Sequence, residues 1–320
     1  MTTRAVRAAT ETRFRRVARF VSPADRGFAA VVYGGSILFA LLILGLFVEL
    51  VLGSWPSIVA FGPSFIWQSA WDPVASKFGA LPMIYGTVVT SLIGIILAAF
   101  VGIMAAVFLA DFAPRWLATP LSFLIELLAA VPSVVYGLWG LFVLAPFVRT
   151  AIGPALQKVL GWTPLFSGPI YGVGLLTAGI ILALMIVPTV TAISRDVIAA
   201  IPRDLREASM ALGSTKWEMA TRVVLPAARV GIFGACVLAL GRALGETIAV
   251  TMVIGNRPEI SASLFAPSYT LAAVIANEFT EATTSIYISA LIQLGLILFV
   301  VSIVVNALAR LMIWRVRGST

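Results

Sequence analysis

The sequence predicts an all-α membrane protein, and three observations carry that expectation. Of its 320 residues 60% are hydrophobic and only 11% are charged, against about 25% charged in an ordinary soluble domain. The apolar residues gather into six blocks, about 28–52, 84–110, 121–147, 170–193, 230–254 and 286–311. Each exceeds the roughly 20 residues a helix needs to cross about 30 Å of hydrocarbon. The blocks also run well beyond the roughly 9–11 residues of a barrel strand and lack its strict alternation, so helices are expected.

Charge sets the orientation. The formal net charge is +8, but its distribution points to a membrane rather than to nucleic acid. Seven Arg precede the first block; Arg115 follows the second; Arg195, Arg203, Arg206, Lys216, Arg222 and Arg229 lie between the fourth and fifth; Arg310, Arg315 and Arg317 close the chain. With a cytoplasmic N-terminus these seventeen face inward, and only Lys77, Arg149, Lys158 and Arg257 face outward. Short-loop Lys/Arg bias orients spans, so both termini are expected in the cytoplasm, with the basic leader near anionic headgroups. The first apolar block is too long for the roughly 7–15-residue core of a cleaved signal peptide, so a retained first helix is expected. The expected organisation is a basic leader (1–26), a transmembrane domain (27–313) with a cytoplasmic connection at 194–229, and a tail (314–320). With no His there are no imidazole ligands or relays, and the single Cys236 excludes an intramolecular disulfide.

The connections follow in order. Segment 53–83 carries Trp55, Trp67 and Trp71 and suits an interfacial position. A tight inner turn is expected at 111–116, a Gly- and Pro-rich outer loop at 148–169, and a third outer loop at 255–285 able to dip back toward the bilayer. Asn256 and Arg257 stand just outside the fifth block, placed to guide an anion inward.

Between the fourth and fifth blocks, Pro202 is followed by Arg203, Asp204, Leu205, Arg206 and Glu207, a good early-helix composition. Leu205, Ala208 and Leu212 share one helical face, Gly213 and Ser214 permit a change of direction, 217–224 can be helical, and Pro226 suits a helix start. Two short helices bent about Gly213 are expected, either packed against a partner or lying on lipid. Gly213-Ser214-Thr215-Lys216 lacks the pattern of a phosphate loop, so energy must come from an ion gradient or another subunit.

Arg242 lies near the centre of the fifth block, with Glu246 one helical turn later. A charge there must be paired or face a polar cavity, and Gly241 and Gly245 allow close backbone approach. Two readings stand: an anion-handling site in which Glu246 holds Arg242 in place, or a structural Arg–Glu clasp. In the run from Glu126 to Gly137, Pro132 can kink the helix and Ser133 and Tyr136 offer hydroxyls. That run reads as a pathway lining or hinge, or as simple kink packing.

Glu207-Ala208-Ser209, three residues, Gly213, nine residues, then Val223-x-Leu225-Pro226 resembles the inner-loop motif of permeases of bacterial ATP-binding-cassette importers, with Ser209 and Val223 in place of Ala and Ile. The runs 132–137, 205–213 and 241–250 resemble the permease pair of phosphate importers, and the N-terminal length, long first outer segment and Gly241–Glu246 run resemble its C-type member. The resemblance implies a six-transmembrane-helix permease of the MetI-like (type I) class in the bacterial cytoplasmic (inner) membrane. It implies as partners a second six-helix permease, two cytoplasmic ATPase subunits that use ATP and Mg2+, and an extracytoplasmic phosphate-binding protein, with no cofactor and no catalysis on this chain. It places Arg206, Glu207, Ala208, Gly213, Leu225 and Pro226 in the ATPase-coupling element. Arg242, Glu246, Ser133 and Tyr136 fall along the phosphate pathway, and Pro132 and Gly137 at a possible hinge. Other oxyanions, molybdate or sulfate, are the nearest alternative; a gradient-driven transporter and a membrane scaffold are others.

Overall fold

The structure, a computed structural model, describes residues 23–317. Among them six helices are long and apolar enough to cross a membrane: Gly27–Ile66, Leu81–Phe112, Ser133–Leu160, Leu175–Ala199, Lys216–Leu244 and Ser285–Leu311. The helices are labelled α1 (Pro23–Phe61), α2 (Leu81–Val107), α3 (Arg115–Ala129), α4 (Ser133–Leu160), α5 (Leu175–Ala199), α6 (Arg203–Ala211), α7 (Lys216–Leu244), α8 (Ile248–Val253), α9 (Leu271–Glu278) and α10 (Ser285–Arg317). Residues 1–22 of the expected leader 1–26 and residues 318–320 of the expected tail lie outside the described residues, and 23–26 already belong to α1.

The second, fourth and sixth expected blocks match spans closely, and the first starts as expected but stays helical to Phe61. The third and fifth are displaced. Residues 121–129 belong not to a span but to α3, an amphipathic helix with no buried residue. The chain breaks at 130–132 and the span begins at Ser133, because Pro132 has no N–H to donate and sits extended at φ −58, ψ 140. Residues 148–160, expected in an outer loop, therefore complete α4. The fifth span starts at Lys216 and stops at Leu244, well short of 254.

Prolines shape the helices that remain. Ahead of Pro114, Pro146, Pro154 and Pro226 the helix widens into a π turn, at Phe108–Phe112, Gly140–Leu144, Val148–Ile152 and Ala220–Val224. The residue before each proline (Ala113, Ala145, Gly153, Leu225) donates its N–H to the carbonyl five residues back. A proline ring clashes with the carbonyl four residues back, and one wider turn relieves that clash. After Pro146, Pro154 and Pro226 the helix continues; at Pro114 it ends, since Ala113 is already extended.

Packing divides the chain after Leu52. In the first unit α1 exposes apolar side chains from Phe28 to Leu46, the surface of a helix that meets lipid or another chain. The second unit is built on α2 and α5. Gly86, Thr90, Gly94, Ala98, Gly102 and Ala106 recur every four residues along α2, and all are buried. Small residues in such a row let helix backbones approach closely. A carbon added at Gly94 would lie 3.0 Å from Leu182 Cβ, one at Gly102 2.9 Å from Val190 Cγ1, and one at Gly179 of α5 2.5 Å from Ile93 Cγ2.

Three apolar clusters line up along this pair. One, with Met83, Tyr269, Leu271, Val274 and Leu291, joins the start of α2 to α9 and α10. A central one, with Ile181, Met185, Ala239, Val250 and Val253, joins α5 to α7 and α8. The third, with Ala106, Ile198, Met219, Val224 and Ile232, closes the end nearest α6. The 255–270 loop caps α5: Leu175 N–H donates to Ala266 O (3.2 Å) and Leu176 N–H to Leu264 O (2.8 Å), satisfying donors left open at a helix start. Beside it, Glu278 Oε2 accepts from Trp71 Nε1 (2.8 Å) and Tyr287 Oη (2.6 Å), tying the 62–80 segment to α9 and α10.

Gly179→Ala is expected to destabilise the protein by about 1–3 kcal/mol through overpacking, read as a lower thermal midpoint in detergent. Gly234→Ala, where the added carbon meets nothing within 4 Å, is the control expected to unfold like the parent.

Candidate functional site

The 194–229 connection folds as two helices meeting at a bend. Pro202 precedes α6, and Gly213 adopts φ +88, a left-handed conformation that costs glycine no steric penalty. Ser209, standing where the related motif has Ala, secures the bend: its Oγ lies 2.7 Å from Ser214 Oγ, and Ser214 Oγ donates to Ser209 O (2.8 Å). Thr215 starts α7 with a capping box, its Oγ1 accepting from Glu218 N–H while the Glu218 carboxylate accepts from Thr215 N–H. Pro226 does not start a new helix, since α7 passes through it by way of the π turn.

Around this bend Glu207, Ala208, Gly213 and Pro226 are exposed and Leu225 is half-buried. Leu205, Met210, Leu212 and Trp217 are exposed as well, Leu212 at 91%. An apolar patch of this kind, rimmed by charge on a polar connection, is the kind of surface that meets another protein or lipid. Arg206 is the exception. Its guanidinium turns inward, Nε donating to Asp111 Oδ1 (3.0 Å), Nη2 to Ile198 O (2.7 Å) and Nη1 to Ile201 O.

Arg242 lies in the last turn of its helix, not at mid-helix. No ion pair joins it to Glu246 among the described residues, so neither the clasp nor a Glu246 that holds Arg242 is present. The expectation assumed one continuous helix; the chain instead leaves it at Gly245 and restarts at Ile248. Glu246 Oε1 there accepts from Ala249 N–H (3.3 Å), satisfying a donor of the first turn of α8. Arg242 instead reaches Thr189 in the middle of α5, with Nη1 3.4 Å from Oγ1, and Tyr136 lies within its electrostatic reach. Tyr136 Oη donates to Leu128 O (2.9 Å), bridging the break at Pro132. Arg242 is exposed while Thr189, Tyr136 and Ser133 are half-buried, so the guanidinium opens outward beside the Thr189 hydroxyl.

Gly137 is buried against α8: an added carbon would meet Met252 Sδ at 2.6 Å and Ala249 Cα at 3.1 Å. Glu126 pairs with Arg195 near the C-terminal end of α5 (3.2 Å), and Arg195 also pairs with Asp196 (2.9 Å). Asn256, at φ +51, donates through Nδ2 to Thr251 O (3.0 Å) and so shapes the turn after α8. Arg257 lines a cleft with Tyr171, Glu259 and Ser261 at the end away from α6. Sequence reasoning missed Thr189 and Asp111. A hydroxyl next to Pro188 inside an apolar helix was the available signal for the first; nothing local pointed to the second.

Comparison with known proteins places the fold. Residues 98–318 match the family described as binding-protein-dependent transport system inner membrane component. A phosphate transport system permease protein PstC from Mesorhizobium japonicum is 48% identical over 320 aligned residues, covering 99% of this chain and 97% of the relative. The protein of the same name from Haemophilus influenzae is 45% identical, covering 88% and 91%. Among solved structures, a bacterial alginate ABC transporter chain superposes with a TM-score of 0.61 at 16% identity, covering 92% of this chain and 96% of its own. A chain of the MetNI methionine ABC transporter superposes with a TM-score of 0.54 at 17% identity, covering 77% and 99%. The six apolar helices and these relatives together establish that the chain belongs to the family of binding-protein-dependent transport system inner membrane components, as a multi-pass permease subunit of an ABC transporter.

Proposed function

We propose that this chain is the C-type permease of an ATP-driven inorganic phosphate importer of a bacterial cytoplasmic membrane, with both termini in the cytoplasm. It lines the pathway together with a second six-helix permease and receives phosphate from an extracytoplasmic binding protein. Two cytoplasmic ATPase subunits, which use ATP and Mg2+, dock on the 203–226 segment through Glu207, Ala208 and the exposed apolar side chains around Gly213. The names of the relatives support phosphate as cargo.

The observation that carries the pathway is the position of Arg242. Its guanidinium is exposed beside the middle of α5, with Thr189 and Tyr136 in reach and no carboxylate paired to it among the described residues. A charge at that level of an apolar bundle belongs in a polar cavity. Phosphate is a mono- or dianion near neutral pH, so one guanidinium cannot neutralise it fully. Weak, transient binding follows, as passage requires. Glu246 supports the pathway indirectly by shaping the start of α8, and Ser133 adds a hydroxyl across the Pro132 break, which serves as the hinge. Because Gly137 is packed against α8, α4 and α8 move together about that break. ATP binding pushes on the docked segment and opens the cavity toward the binding protein; hydrolysis resets it.

In proteoliposomes carrying the complete complex, phosphate uptake is expected to require both ATP and the binding protein. ATP-driven flux of molybdate or sulfate instead would move the substrate and keep the permease. Arg242→Ala is expected to lower uptake about 10- to 100-fold, the scale of a charge-assisted hydrogen bond, at an unchanged yield of assembled complex; a matching loss of assembly would make Arg242 structural. Glu207→Lys is expected to weaken ATPase association about tenfold or more, the scale of a lost or repulsive charge contact at an interface, measured by co-purification. Normal association with normal transport would remove Glu207 from the dock.

A further inference from the structure

Helix α6 is held to the rest of the chain in an unusual way, because none of its residues is buried and the apolar side chains at 205 and 210, and at 212 just beyond its end, are exposed. What enters the interior is the Arg206 side chain, 17% exposed, facing an Asp111 side chain that is 5% exposed. The planar guanidinium meets two different spans at once. Nε holds Asp111 Oδ1 in the π turn that ends the α2 span, while the two terminal nitrogens hold Ile198 O, in the last turn of α5, and Ile201 O just beyond it. A cation on the carbonyls at a helix C-terminus is favourable, and Asp111 offsets the cost of burying it.

We propose that the pair of Arg206 and Asp111 is a strut that transmits displacement of α6 into α2 and α5. It rests on the reading that the ATPase docks on the 203–226 segment, and it gives Arg206 a positioning role inside the permease in place of a contact with the ATPase. The two spans it grips are locked to each other by the small-residue row of α2, so a pull on their inner ends moves them as one body. Asp111 has a further property suited to this role: its Oδ2 is buried and accepts no hydrogen bond among the described residues. A rotation of the guanidinium would make the ion pair bidentate, so the link can survive a shift of α6 away from the α5 carbonyls. Lysine cannot replace arginine here, since an ammonium group lacks the planar fork that serves three acceptors in fixed directions.

The test uses the complete complex with its ATPase and binding protein, comparing the parent with Arg206→Lys and Asp111→Asn. Three quantities are measured: ATPase co-purified per permease, ATP hydrolysed, and phosphate taken up. The expected result for both variants is retained ATPase and a fall of about tenfold in phosphate moved per ATP hydrolysed, the size that losing a coupling of about 1.4 kcal/mol gives. An unchanged ratio overturns the strut, and so does a loss of uptake that only tracks loss of co-purified ATPase, because Arg206 would then merely fold the loop. Should Asp111→Asn alone misassemble, Arg206→Lys still decides by the same ratio. Failure of the docking reading is distinguishable: there, Glu207→Lys would bind ATPase and transport normally.

Discussion

Close contact between α2 and α5 is the constraint on which the second unit depends. It comes from small residues every four positions, which remove the side-chain bulk that would hold two helices apart. In lipid no hydrophobic force drives apolar helices together, so dense packing of this kind carries much of the association. The pair then serves as a fixed frame. The 255–270 loop caps one of its ends through the first donors of α5, α7 and α8 pack along its middle, and α6 is tied to the opposite end through Arg206.

That frame explains how a chain with so few charges positions the ones it has. Arg242 meets Thr189 because α7 runs beside α5 and ends there, and Tyr136 comes within range of its charge because α4 begins just after Pro132 and packs on α8 through Gly137. At Pro146, Pro154 and Pro226 a π turn absorbs the proline and the helix continues; where the chain must leave, an extended residue next to proline ends it. The breaks at 130–132 and 245–247 thus bring the ends of α3, α4, α7 and α8 to the level where Arg242 lies.

The separation of Arg242 from Glu246 shows the limit of reading a motif by spacing. Four residues apart on a helix means one face, but Gly245 lets the helix stop between them, and a carboxylate next to open backbone donors takes those instead. The pairing lost locally is replaced by contacts from elements more than fifty residues away in sequence. Arg206 makes the same point in reverse: it stands in a motif that reads as an outward docking surface, yet its side chain is claimed by carbonyls and a carboxylate from two other helices.

Composition and block length alone determined that this is a helical membrane protein with six spans, because burial of backbone polar groups in hydrocarbon leaves few other solutions. The bend at Gly213 and the short helix before it were legible too, since they rest on local turn and helix-start chemistry, whereas the helix after it runs on through Pro226 as one span. The small-residue row was present in the sequence as well, although only its burial against α5 gives it meaning. Tertiary structure decided what local signals cannot. It decided that 115–129 lies outside the spans although it is as apolar at its C-terminal end as a span would be, and that Arg242 faces Thr189 rather than Glu246. It also decided that Asp111, an ordinary turn residue by sequence, is the buried partner of Arg206. In each case the deciding contact joins residues distant in the chain, and such contacts exist only once the helices have packed.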